Sequence, residues 1–145
     1  KIVKKIWKKF LKKSTKTMSL NFQIALAVGF GGAFGSILRF YAVDYVHKME
    51  LGNFPFGILF VNIFGSFIIG ILYAYFSTHD VSTILKAFLI AGFLGGLTTF
   101  STFALDSYLL FNSSLNYAIL NILSNLIGSI FFVLIGFKLA IFFIK

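Results

Sequence analysis

The chain contains no cysteine, which excludes disulfides and thiolate metal sites and leaves the redox compartment unread. Carboxylates are scarce: Asp44, Glu50, Asp80 and Asp106 are the whole set. The two histidines, His47 and His79, fall in separate polar connections. No metal-ligand cluster and no nucleophile–base pair is visible around them. Charged residues of both signs make up 12% of the chain, about half the share typical of soluble domains.

What is abundant is apolar. Of the 145 residues 59% are hydrophobic, and 21 are phenylalanine. Typical domains are about 45–50% apolar. A soluble domain of this length could not hide that much apolar surface, so most of the phenylalanines are expected to face lipid or pack between helices. One domain is the natural expectation at this length.

The formal charge of +9 is unevenly spread. Residues 1–17 hold eight lysines and no acid, whereas from Met18 onward five basic residues (Arg39, Lys48, Lys86, Lys138, Lys145) face four acidic ones. The basicity belongs to the tail and is no argument for nucleic-acid binding. The tail reads KIVKKIWKKFLKK, with Ile2, Val3, Ile6, Trp7, Phe10 and Leu11 at helical spacing and lysines on the other face. Such a helix is expected to lie on an anionic membrane surface. It lacks the continuous apolar stretch and cleavage site of a signal peptide. Met18-Ser19-Leu20 reads as a native start. The expected division is therefore a basic amphipathic tail, 1–17, and a four-helix domain, 18–145.

Four long apolar segments make up that domain, over about 22–46, 55–76, 81–111 and 115–143. Each meets the roughly 20 residues a helix needs to cross a bilayer. Helices are expected because lipid supplies no partners for open strand edges. The connections 47–53, 77–80 and 112–114 are short and polar, and Pro55 suits the first turn of the second helix. Basic residues of the body lie near both membrane faces, so the positive-inside rule orients it weakly. With the tail, both termini favour the cytoplasm.

Polar residues inside the spans follow patterns. The first span holds Gly29, Gly31, Gly32, Gly35 and Ser36, whose small-xxx-small pairs allow close helix approach. Arg39 follows, and either snorkels to the headgroups or faces a cavity or partner. The second span has Asn62, Ser66 and Gly70 at four-residue spacing; the fourth has Asn121, Asn125, Gly128 and Ser129. An asparagine amide in hydrocarbon needs a partner, so each stripe is either glue between helices or the wall of a pathway. Two such stripes in a small chain favour a shared polar seam. In the third span Gly92, Gly95 and Gly96 precede Thr98-Thr99-Phe100-Ser101-Thr102-Phe103. Glycines and threonines weaken the helix there, and carbonyls freed at membrane depth are tolerated only where buried or coordinating. Phe100 and Phe103, three apart, are expected side by side on the second half-helix.

Three blocks, GGAFGSILRF (31–40), FGILFVNIFGSFIIG (56–70) and GFLGGLTTFSTF (92–103), resemble the signature blocks of the CrcB/Fluc fluoride channels, in the same order and at similar spacing. The resemblance covers the chain from Met18 onward. It implies an all-α membrane protein of four transmembrane helices with a broken third helix. It also implies an antiparallel, dual-topology homodimer in the inner (plasma) membrane, with two pores that export fluoride passively and a structural sodium ion at the dimer centre. By motif position, Phe100 and Phe103 match the phenylalanines whose ring edges face fluoride, Asn62 the pore asparagine, and Arg39 the arginine near the vestibule. Gly95 and Thr98 match the positions whose backbone carbonyls hold sodium. Asn125 and Ser129 match the polar track of the fourth helix. The basic tail departs from the family's usual short N-terminus.

The chemistry implied is coherent. Fluoride is small and strongly hydrated, so a pore must replace its water with donors. The Asn62 amide and the hydroxyls of Thr99, Ser101, Thr102 and Ser129 are suitable. Aromatic edges carry the positive part of the ring quadrupole and solvate an anion weakly enough to release it. Oxygen ligands suit a hard cation such as sodium. A proton-coupled small multidrug exporter would need a mid-membrane carboxylate in its first span, where Asp44 near the end is the only acid. A membrane enzyme lacks its catalytic groups, and a purely structural assembly protein has no need of a broken, polar third span.

Overall fold

The computed structural model describes residues 2–144, with the side chains of Lys5 and of residues 17–144. Every regular element among them is helical: α1 (Ile2–His47), α2 (Phe56–Thr78), α3 (Thr83–Lys86), a π-helical run (Ala87–Leu94), α4 (Gly95–Leu97), α5 (Phe100–Ser113) and α6 (Leu115–Ile144). Four stretches are long and apolar enough to cross a membrane: Thr17–His47, Phe56–Thr78, Thr83–Ser113 and Leu115–Ile144. They coincide with the segments expected from hydropathy. The backbone of the basic tail continues into α1 without a break. The expected apolar and lysine faces of that tail lie outside the described residues.

Between apolar helices in lipid there is little hydrophobic driving force, so close packing has to hold them. Glycine makes that packing possible. A Cβ on Gly35 of α1 would overlap the carbonyl oxygen of Phe93, and one on Gly70 of α2 would overlap that of Val133 on α6. The pairings run in register: Gly31 lies against Phe88 and Gly35 against Phe93 and Leu97, while Ile63 meets Gly128 and Phe67 meets Gly136. Thus α1 runs parallel to the third span, and α2 parallel to α6. Between the pairs sits a small core of Val61, Leu94 and Leu97, packed against Val43, Ile68 and Leu72.

Local chemistry sets the ends. Ser82 accepts the Leu85 N–H at 3.2 Å and so starts the third span. Gly52, at φ 94°, turns the chain between α1 and α2. The π-helical run is a feature that hydropathy does not foretell. It carries Gly92, where a Cβ would lie 2.8 Å from the Val28 carbonyl oxygen of α1.

Candidate functional site

The third span leaves the helical conformation at two residues, Thr98 (ψ 156°) and Thr99 (ψ 117°). Gly92, Gly95 and Gly96 all stay in helical turns, so the break is confined to the β-branched pair. Thr98 closes the first half, its N–H and hydroxyl both donating to Leu94 O at 3.0 and 2.9 Å. Thr99 opens the second half, its hydroxyl oxygen accepting the Thr102 N–H at 3.3 Å as an N-cap.

A break at membrane depth leaves backbone groups that lipid cannot satisfy. Asn62 of α2 takes them. Thr99 N–H, which an unbroken helix would give to Gly95 O, donates to Asn62 Oδ1 at 2.8 Å. Asn62 Nδ2 donates to Thr99 O at 3.1 Å and to Asn125 Oδ1 of α6 at 2.9 Å. Both amide hydrogens of Asn62 are thereby engaged. Arg39 is turned inward: its Nη1 donates to Thr98 O at 3.1 Å, at the carbonyl end of the first half-helix, where a cation suits the helix dipole.

Beside the break lies a cleft of about 370 Å³. Asn62, Gly95, Thr98, Thr99, Phe100, Phe103, Asn125 and Ser129 all line it, together with Ser66 and an apolar wall that includes Ile69, Ile90 and Leu126. The polar stripes of the second and fourth spans therefore meet in one seam. The hydroxyls of Ser66 and Ser129 have no hydrogen-bond partner among the described residues. Phe100 and Phe103 pack edge to face, with centroids 5.2 Å apart and planes at 71°. Phe103 is buried at 5% exposure, whereas Phe100 is 72% exposed.

Three expected site residues, Arg39, Ser101 and Thr102, fall outside the cleft. Ser101 is exposed, and Thr102 lines a separate cavity with Arg39, Asp44 and His47. The hydroxyls of Ser101 and Thr102 reach Thr99 Oγ1, at 3.3 and 3.0 Å. Two further residues belong to the site's scaffold. Asn121, wholly buried, donates to Ser107 Oγ at 2.9 Å, and Ser107 donates to Phe103 O at 2.8 Å. Asn121 was visible in the stripe of the fourth span, without a partner. Ser107 carried one signal, its position one helical turn after Phe103. No buried side-chain nitrogen or oxygen among the described residues lacks a hydrogen bond.

Four membrane-spanning helices, one interrupted at mid-depth beside a polar and aromatic cleft, define a multi-pass membrane protein of the discontinuous-helix kind found among transporters and channels. The chain belongs to the CrcB family: residues 26–137 match the family described as "CrcB-like protein, Camphor Resistance (CrcB)". A relative named "Fluoride-specific ion channel FluC" from a Nitratiruptor species is 48% identical over 123 residues, covering 82% of this chain and 95% of that protein. Its namesake from Campylobacter fetus subsp. fetus is 47% identical over 121 residues, covering 81% and 94%. That from Sulfurimonas denitrificans is 47% identical over 114 residues, covering 77% and 88%. The family is one of ion channels, not enzymes.

Proposed function

We propose that the protein is a fluoride-selective passive channel of the inner (plasma) membrane, exporting fluoride and so lowering its toxicity. It works as an antiparallel, dual-topology homodimer with two pores. One observation carries the reading: the Phe100–Phe103 pair, the Asn62–Thr99 break and Ser129 share one cleft, in a chain 48% identical to a protein named as a fluoride-specific channel.

A fluoride ion entering this cleft exchanges water for hydroxyl donors, Ser129 and Thr99 among them, and for the positive edges of two rings. Neither partner binds strongly enough to trap it, as conduction requires. Chloride is larger and gains less from the same donors. Ser101 and Thr102 extend the hydroxyl path beyond the break, toward the cavity that Arg39 lines. The exposed ring of Phe100 supports a second copy as the missing wall.

Sodium fits the carbonyls at the break. Gly95 O loses its helical donor when Thr99 N–H turns to Asn62, and Thr98 O keeps a second lone pair beside the one Arg39 uses. Such oxygens suit a hard cation, and sodium at the dimer centre would add a fixed positive charge. The exporter alternative finds no support. The cleft is lined by no carboxylate, and Asp44 is half-buried and paired with Lys48 at 2.6 Å.

The test is efflux from liposomes reconstituted with the purified chain, read with a fluoride electrode. Fluoride flux without a proton gradient is expected. Chloride passing as readily as fluoride overturns the reading, and strict dependence on a proton gradient turns it to the exporter.

A further inference from the structure

Four side chains on three helices link two backbone groups of the third span. Thr99 N–H donates to Asn62 Oδ1 at 2.8 Å, and Asn62 Nδ2 to Asn125 Oδ1 at 2.9 Å. Asn125 Nδ2 donates to Asn121 Oδ1 at 3.0 Å, and Asn121 Nδ2 to Ser107 Oγ at 2.9 Å. Ser107 then donates to Phe103 O at 2.8 Å. The chain starts on the N–H at the helix break and ends on the carbonyl of the buried phenylalanine, one turn along the same half-helix.

Its direction is forced. An asparagine amide can face either way, but a backbone N–H can only donate. Asn62 must turn its oxygen to Thr99, which presents its NH₂ to Asn125. That fixes Asn125, and Asn125 fixes Asn121, whose remaining group for Ser107 is a donor. Asn62, Asn125, Asn121 and Ser107 are all buried, so each link lies in low dielectric and polarises the next.

The chain also bears on which groups are left for a ligand. Asn62 Nδ2 gives its second hydrogen to Thr99 O, and Asn125 Nδ2 its second to Asn121 O at 3.1 Å. Both amide nitrogens are thus held by protein acceptors. Ser66 and Ser129 keep hydroxyls with no partner among the described residues.

We propose that Asn121 and Ser107 are positioning residues for permeation. Acting through Asn125 and Asn62, they hold the break at Thr98 and Thr99 in place and set the position of Phe103. The inference rests on the channel reading only for its flux readout.

The test compares wild type with Asn121→Leu, Ser107→Ala, the double variant and Ser107→Thr. Two readouts are taken: hydrogen exchange of the Thr99 amide in purified protein, and fluoride efflux from liposomes. Each single cut should speed Thr99 exchange and slow efflux about tenfold, the scale of one lost buried hydrogen bond. The double should fall no more than about twofold below the worse single, because either cut opens the same chain. Ser107→Thr keeps the hydroxyl and should stay within about twofold of wild type. Additive losses in the double, or Thr99 exchange unchanged in Ser107→Ala, overturn the chain. Should Asn121→Leu fail to fold, Ser107→Ala against Ser107→Thr makes the same comparison. A wild type that passes no fluoride overturns the channel reading, and Thr99 exchange still decides the positioning role.

Discussion

Asn62 and Thr99, 37 residues apart, meet as a closed amide pair, with Thr99 N–H on Asn62 Oδ1 at 2.8 Å and Asn62 Nδ2 on Thr99 O at 3.1 Å. The side chain copies what a neighbouring peptide would offer, so the third span can stop being a helix without leaving bare polar groups in hydrocarbon. Asn62→Leu removes that substitute while keeping the branching and the number of side-chain heavy atoms. Each backbone group left unpaired costs about 1–3 kcal/mol. Thermal unfolding in detergent should therefore shift down markedly, and fluoride efflux should be lost. A variant as heat-stable as wild type would show that the break does not depend on Asn62.

The two phenylalanines should separate in experiment. Phe100 is 72% exposed and supports little of the chain's own packing, so Phe100→Ile should leave the protein folded while abolishing or sharply slowing fluoride efflux. Phe103 is 5% exposed, and Phe103→Ile should lose flux and about 1–3 kcal/mol of stability, the range for a shape change in a packed site. Full flux in Phe100→Ile would remove that ring from the pore.

Much of this was legible in the chain before its structure. Hydropathy placed the four spans because lipid demands about 20 apolar residues of each. The two asparagine stripes foretold a shared seam, since neither amide could be left alone in hydrocarbon. Glycines and threonines together marked a weak stretch in the third span, of which only Thr98 and Thr99 leave the helix. The hydroxyl-rich run named suitable donors without saying which of them line the cleft: Thr99 does, whereas Ser101 and Thr102 lie beyond it, joined to Thr99 Oγ1. α5 begins at Phe100 and turns about 100° per residue, which keeps Phe100 and Phe103 on one side while Ser101 and Thr102 between them swing away. The π-helical run and the role of Ser107 were hidden for another reason. Both involve contacts with other helices, Val28 and Gly31 of α1 against Gly92, and Asn121 against Ser107.

The glycines of α1 offer a controlled pair. A Cβ on Gly35 would overlap Phe93 O and lie 2.8 Å from Leu97 N, so Gly35→Ala should push α1 off the third span just ahead of the break. Gly29 meets nothing within 4 Å, and Gly29→Ala should be neutral or slightly stabilising through helix propensity. Thermal unfolding and efflux, measured on both, should fall together for Gly35→Ala only. Equal behaviour of the two variants would mean that α1 and the third span are not held at backbone contact.

The sodium proposal has a readout independent of flux. A cation bound by the folded state and not by the unfolded one raises the unfolding temperature in proportion to the logarithm of its concentration. Protein purified without sodium should unfold at lower temperature and carry no fluoride, and sodium should restore both, whereas a bulky organic cation should restore neither. Arg39→Gln sharpens the test, because it frees Thr98 O of its guanidinium while leaving both carbonyls in place. If sodium acts at Gly95 and Thr98, the variant should still respond to it, with a changed concentration for the half-effect. A wild-type chain whose unfolding temperature and flux are both indifferent to sodium would leave the carbonyls at the break as acceptors for Arg39 and nothing more.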